Sequence, residues 1–117
     1  MNVAHTDKTR EIIYVVDDDE AVRDSLIWLL ESNGYLVRCY ASADRFLQAV
    51  VGPDRDVTAC VILDVRMPGM SGLELQEQLL SLAIPMPISF ITGHGDVSMA
   101  VTTMKKGAVD FIEKPFK

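Results

Sequence analysis

Five residues in this sequence stand where largely apolar runs break off, and their types suit one kind of chemistry. Ile12–Val16 gives way to Asp17 and Asp18, Ala59–Leu63 to Asp64, Pro87–Ile91 to Thr92, and Val109–Glu113 to Lys114. If these runs are strands of a parallel sheet, their carboxyl ends share one edge, and ligands of such sheets bind there. That edge would hold three carboxylates, one hydroxyl and one ammonium. Two unit charges ~4 Å apart repel by roughly 4 kcal/mol at an effective dielectric of 20. Clustered carboxylates therefore need raised proton affinities or a neutralising cation. All-oxygen ligation selects a hard ion, Mg²⁺ above all, which keeps several waters and takes one or two carboxylates plus phosphate oxygens. Zinc does not fit: neither Cys39 nor Cys60 ends a strand, and His5 and His94 lack ligand spacing. A carboxylate beside Mg²⁺, with Lys114 and Thr92 nearby, is the equipment of a phosphoryl-accepting aspartate. The ammonium and the metal offset charge on the transferring group, and the hydroxyl hydrogen-bonds a phosphoryl oxygen. Backbone N–H groups of the glycine-containing loop after Asp64 can add donors.

The elements that must deliver these residues follow a repeating order. Ile12–Val16 is uninterrupted and apolar, as in strands buried on both faces. Acidic residues at its end can cap a helix with Val22, Leu26, Leu29 and Leu30 on one stripe, stopped by Asn33-Gly34. A second strand spans Tyr35–Tyr40, and Ser42 caps a short helix carrying Phe46, Leu47, Val50 and Val51. After a turn-rich stretch over Gly52–Thr58 come the third strand, Ala59–Leu63, and the loop Met67–Gly72. A third helix carries Leu73, Leu75, Leu79 and Leu82, and the fourth strand, Pro87–Ile91, leads into Gly93-His94-Gly95. A fourth helix starts at Asp96 or Ser98 with Val97, Ala100, Val101 and Met104 on its stripe, and Gly107 ends it before the fifth strand, Val109–Glu113. Strict alternation of strand and helix predicts an α/β doubly wound parallel sheet of five strands with right-handed crossovers. Residues 1–11 read as a polar tail and 12–117 as the domain. Because the sequence stops just after its fifth strand, it reads as a fragment whose fifth helix and anything beyond it are missing.

Composition narrows the function classes. A chain of 117 residues fits one domain and should bury roughly 65% of its unfolded surface. Hydrophobic residues make up 49% and charged residues 24%, as in ordinary globular proteins. A net charge of −6 repels phosphate backbones, so direct nucleic-acid binding by this chain is not expected. Two cysteines are too few for a disulfide framework, and no apolar run approaches the ~20 residues of a membrane span. Met1–Glu11 lacks the apolar core of a signal peptide, so a reduced, cytoplasmic location is the default.

With these residues in place the sequence resembles a known family. Val15-Val16-Asp17-Asp18-Asp19-Glu20, Leu63-Asp64-Val65-Arg66-Met67-Pro68-Gly69-Met70-Ser71-Gly72, Ile91-Thr92-Gly93 and Lys114-Pro115-Phe116 resemble the receiver domain of two-component response regulators, in the same order, over about residues 11–117. Thr92–Val97 and Gly107–Phe116 look like the FixJ-type subfamily, whose members carry a C-terminal LuxR-type helix-turn-helix domain; DctD- and NtrC-type activators share similar wording. The resemblance implies a flavodoxin-like receiver fold of strand order 2-1-3-4-5 with Asp64 as phosphoacceptor. It implies Mg²⁺ held by Asp18 directly, by Asp17 through a water, by Asp64 and by the backbone carbonyl of Arg66. Thr92 and Lys114 would contact the phosphoryl group, and Lys114-Pro115 would be a cis peptide. Thr92 and the strand-five aromatic Phe111 would move on activation, with no tyrosine hydroxyl involved, and Gly93 would leave access for the donor. A sensor histidine kinase is the implied phosphoryl donor, and helix four with strand five (residues 96–113) the implied homodimer face.

Two rival readings have distinct signatures. A haloacid-dehalogenase-like phosphatase also uses an aspartate nucleophile and Mg²⁺, and Asp17-Asp18-Asp19 contains its Asp-x-Asp spacing, but Ala21 stands where Thr or Val is usual. A pseudo-receiver that never accepts phosphate would not need the full set Asp17, Asp18, Asp64, Thr92 and Lys114. Asp19 reads as a helix cap, His94 as an exposed loop residue, the methionines as core fillers or loop residues, and Trp28 as lying off the apolar stripe of the first helix.

Overall fold

The computed structural model describes residues 12–51, 59–92, 102, 104–108 and 110–113, the last three of these by backbone alone. Its strands are β1 (Ile12–Val16), β2 (Leu36–Tyr40), β3 (Cys60–Asp64), β4 (Ile88–Thr92) and β5 (Asp110–Glu113). They form one five-stranded sheet in the order β2-β1-β3-β4-β5, with every pairing parallel. The helices α1 (Glu20–Ser32), α2 (Ala43–Val50) and α3 (Gly72–Ser81) follow β1, β2 and β3. The expected fourth helix falls largely outside the described residues, although 102, 104 and 105 are helical.

All five residues of β1 are buried, as its unbroken apolar run requires, and alternate side chains feed opposite faces. Ile12, Tyr14 and Val16 join Ala43, Phe46 and Val50 of α2 and Leu75 and Leu79 of α3 in one core cluster. Tyr14, Tyr40 and Phe46 meet there as rings 5.3–6.1 Å apart. Ile13 and Val15 join Leu26 of α1 and Ile91 on the other face, where Val37, Cys39, Cys60 and Ile62 are only half-buried. Helices thus cover both faces, which is the doubly wound arrangement.

Several apolar residues are less buried than their spacing suggests. Leu29 is 39% exposed because α1 turns Leu26 inward with Val22, Ile27 and Leu30 half-buried, leaving Leu29 at the rim. Val51 and Leu82 are exposed because each is the C-cap of its helix and no longer follows the helical stripe. Trp28 is 74% exposed. β3 and β4 each start and end one residue later than the apolar runs, so Asp64 and Thr92 are the last residues of their strands: Asp64 pairs with Ile91, and Thr92 with Glu113. No helix among the described residues is long and apolar enough to cross a membrane.

Candidate functional site

The adjacent strands β1, β3 and β4 present their carboxyl ends side by side, and three acids meet there. Carboxylate oxygens of Asp17, Asp18 and Asp64 all lie within 4.8 Å of one another. Asp17 is fully buried, Asp64 is 5% exposed, and Asp18 faces solvent. Thr92, 2% exposed, ends β4 on the same edge.

Asp17 and Asp18 are held by the turn from β1 into α1. The Asp17 N–H donates to the carbonyl of Tyr40 at 3.1 Å, extending the β1–β2 ladder by one rung. Asp17 Oδ1 accepts the Asp19 N–H at 2.9 Å, and Asp19 in turn caps α1 by accepting the Ala21 N–H at 2.9 Å. Asp19 is therefore a cap, and only its two predecessors enter the acidic cluster. From within α1, Arg23 Nη1 donates to the Asp17 carbonyl at 2.8 Å.

Asp64 is placed by the chain on both sides of it. Val65 N–H donates to the Ile91 carbonyl at 3.0 Å, so β3 stays tied to β4 beyond its last residue. The chain then loops out and returns, and Gly72 N–H donates to the Val65 carbonyl at 2.8 Å. The approach is so close that a Cβ at position 72 would collide with the Asp64 carbonyl oxygen and lie 3.1 Å from the Val65 Cα. Ser71 and Glu74 form a capping box that fixes the start of α3 at this point. Between Val65 and Gly72, Met67 is buried and Met70 half-buried in the α2–α3 core, which anchors the loop that carries Arg66. Arg66 itself is exposed.

The donor set fits a hard divalent cation. Three carboxylates converge from two strand ends, all offering oxygen, with one open to solvent so that waters can complete the shell. Without positive charge the cluster would be repulsive. Cys39 and Cys60 form no disulfide and lie on β2 and β3, separated by the whole width of β1; two strand spacings of about 4.8 Å exceed the reach of a disulfide.

Of the residues singled out in the sequence, the structure brings Asp17, Asp18 and Asp64 together and puts Thr92 on the same edge. Lys114, Gly93 and His94 lie outside the described residues, and of Phe111 only the backbone in β5 is described. Two contributors escaped the sequence reading. Arg23 gave the weak signal of a long cation flanking an apolar helix position, and Gly72 that of a glycine, a poor helix former, opening a helix.

Comparison with known proteins agrees with this arrangement. Residues 13–117 match the family described as the response regulator receiver domain. The response regulator protein TodT of Pseudomonas putida is 50% identical over 113 residues, covering 97% of this chain and 48% of TodT. The transcriptional regulatory protein FixJ of Bradyrhizobium diazoefficiens is 50% identical over 109 residues, covering 93% of this chain and 52% of FixJ. The crystal structure of FixJ-N superposes with a TM-score of 0.83 at 49% identity, covering 93% of this chain and 85% of that one. The chain spans about half the length of the curated relatives it matches.

Proposed function

The chain belongs to the response regulator receiver domain family, and from that premise we propose that it is a phosphorylation-dependent signalling switch with Asp64 as phosphoacceptor. An Asp64 carboxylate oxygen attacks the phosphorus of a phosphohistidine on a sensor histidine kinase. The P–N bond breaks, the imidazole leaves, and an acyl phosphate forms on Asp64. Water later cleaves it, so the domain promotes only its own phosphorylation and dephosphorylation. Asp18, Asp64 and the Arg66 carbonyl would hold Mg²⁺ directly and Asp17 through a water, and the ion would supply charge neutralisation. Thr92 donates a hydrogen bond to the phosphoryl group and Lys114 pairs with it.

The observation that carries this reading is the convergence of the Asp17, Asp18 and Asp64 oxygens within 4.8 Å. An acid in that company is poised to take up a cation and a phosphoryl group together. Phosphorylation adds charge that recruits Thr92 and shifts an inactive–active equilibrium, with Phe111 following. The output is a homodimer through the fourth helix and β5, controlling a C-terminal DNA-binding domain in a cytoplasmic protein. FixJ, half of whose length this chain matches, is named a transcriptional regulatory protein.

Incubation with Mg²⁺ and acetyl phosphate tests the site directly. Intact-mass measurement should show one phosphoryl group on the wild type and none on Asp64→Asn. Equal modification of both proteins would remove Asp64 from the role.

A further inference from the structure

The three residues 17–19 leave β1 and enter α1 without a regular element of their own, yet they must hold two acids in register. Their backbone is fixed at several points: Asp17 N–H on Tyr40 of β2 at 3.1 Å, Asp19 N–H on Asp17 Oδ1 at 2.9 Å, and Arg23 N–H on the Asp19 carbonyl at 3.1 Å. One further contact acts on the peptide unit that joins the two acids. Arg23, in the first turns of α1 and half-buried, sends Nη1 back six residues to the Asp17 carbonyl at 2.8 Å. That carbonyl belongs to the peptide between Asp17 and Asp18, so its orientation sets where the Asp18 side chain departs relative to the buried Asp17 carboxylate.

We infer that Arg23 is a positioning residue for the acidic site: its guanidinium locks the Asp17–Asp18 peptide so that a sequestered and an exposed carboxylate serve one cation. The inference rests on the metal-dependent reading above and extends it to a residue that touches no ligand. Hydrogen-bond partners standing behind metal ligands typically govern affinity by 10–100-fold. A permanently charged guanidinium also has the opposite electrostatic effect, because a cation near the site repels Mg²⁺. The two effects differ in sign, which makes the role measurable. If Arg23 were only a nearby charge, removing it would tighten Mg²⁺ binding; if it positions the acids, removing it loosens binding.

Calorimetric titration with Mg²⁺ alone, at fixed ionic strength, separates these cases for the wild type, Arg23→Met and Arg23→Lys. Arg23→Met should bind about tenfold more weakly, and Arg23→Lys, which keeps a donor, should regain most of the loss. Thermal unfolding in metal-free buffer identifies the folded fraction; should Arg23→Met not fold, the shorter, uncharged Arg23→Gln takes its place. Affinity in the folded variant equal to or tighter than wild type overturns the inference and leaves a merely structural contact. A wild type that binds no Mg²⁺ removes the underlying reading, and the inference with it.

Discussion

Asp17 is sealed from solvent while Asp18, the next residue, stands in it, although their carboxylates belong to one cluster. The chain turns between them, so one side chain points under the sheet edge and the other outward. Their substitutions should therefore separate. Asp18→Ala should weaken Mg²⁺ binding about tenfold or more with no loss of metal-free stability, because an exposed side chain gives up few contacts and one like charge leaves the cluster. Asp17→Ala should lose the metal and also destabilise the fold by about 2 kcal/mol, since a charged acceptor of the Asp19 N–H disappears from a buried position. Calorimetry and denaturant unfolding on both variants check the contrast. Cys39 offers a pH-dependent reading at the same scale. Burial pushes its thiol pKa up, Arg23 pulls it down, and Asp24 and Glu31 push it up again. The nucleophile is the thiolate, so the folded protein holds the unreactive form to higher pH than an unfolded chain does. Iodoacetamide should label Cys39 of a Cys60→Ser variant more slowly in the native state than in denaturant at the same pH. Stability linked to this thiol is complete below its unfolded pKa and declines as pH rises through the folded one.

At the scale of elements, the helix ends differ in how well their sequence suits them. α1 closes in a Schellman motif: Gly34, at φ +91°, donates to Glu31, and Tyr35 donates to Leu30. α3 closes the same way, Ala83 donating to Leu80 and Ile84 to Leu79, but Ala83 must take φ +55° where glycine is usual. The left-handed conformation costs an L-residue roughly 1–2 kcal/mol, partly offset by glycine's greater unfolded-state entropy. Ala83→Gly should therefore stabilise the domain by about 0.5–1 kcal/mol, seen as a rise of a few degrees in melting temperature. Gly72→Ala should do the reverse. Its methyl would press on the Asp64 carbonyl, costing about 1–3 kcal/mol and slowing phosphorylation by acetyl phosphate, because the proposed acceptor itself is displaced. These contrasts show what was legible. Unbroken runs such as Ile12–Val16 announce buried strands, and Asn33-Gly34 announces a helix stop, because both are local consequences of side-chain type. The one-residue offset of β3 and β4, the Gly72–Asp64 collision, the outward turn of Leu29 and the Arg23 contact depend on what lies opposite in space. Spacing along a chain does not encode that.

For the whole molecule, a net charge of −6 and three acids at one sheet edge set folding against the site that folding creates. Asp64 is far from Asp17 and Asp18 in the unfolded chain; the sheet brings all three within 4.8 Å. Repulsion between Asp64 and the Asp17–Asp18 pair is therefore a cost that appears only in the native state, and a bound cation would both cancel it and add binding energy. With Mg²⁺ at 100 times its dissociation constant, linkage predicts about 2.7 kcal/mol of added stability. NaCl at equal ionic strength, which only screens, should give less. Asp18→Asn should reverse the order of stabilities. It removes one like charge from an exposed position, so without metal it should be more stable than wild type by about 1 kcal/mol after solvent screening. In saturating Mg²⁺ it should be the less stable of the two, because a ligand is gone. Urea midpoints of the two proteins, measured with and without Mg²⁺, should therefore cross. Parallel shifts with no crossing would mean that the acids neither repel at this edge nor share an ion.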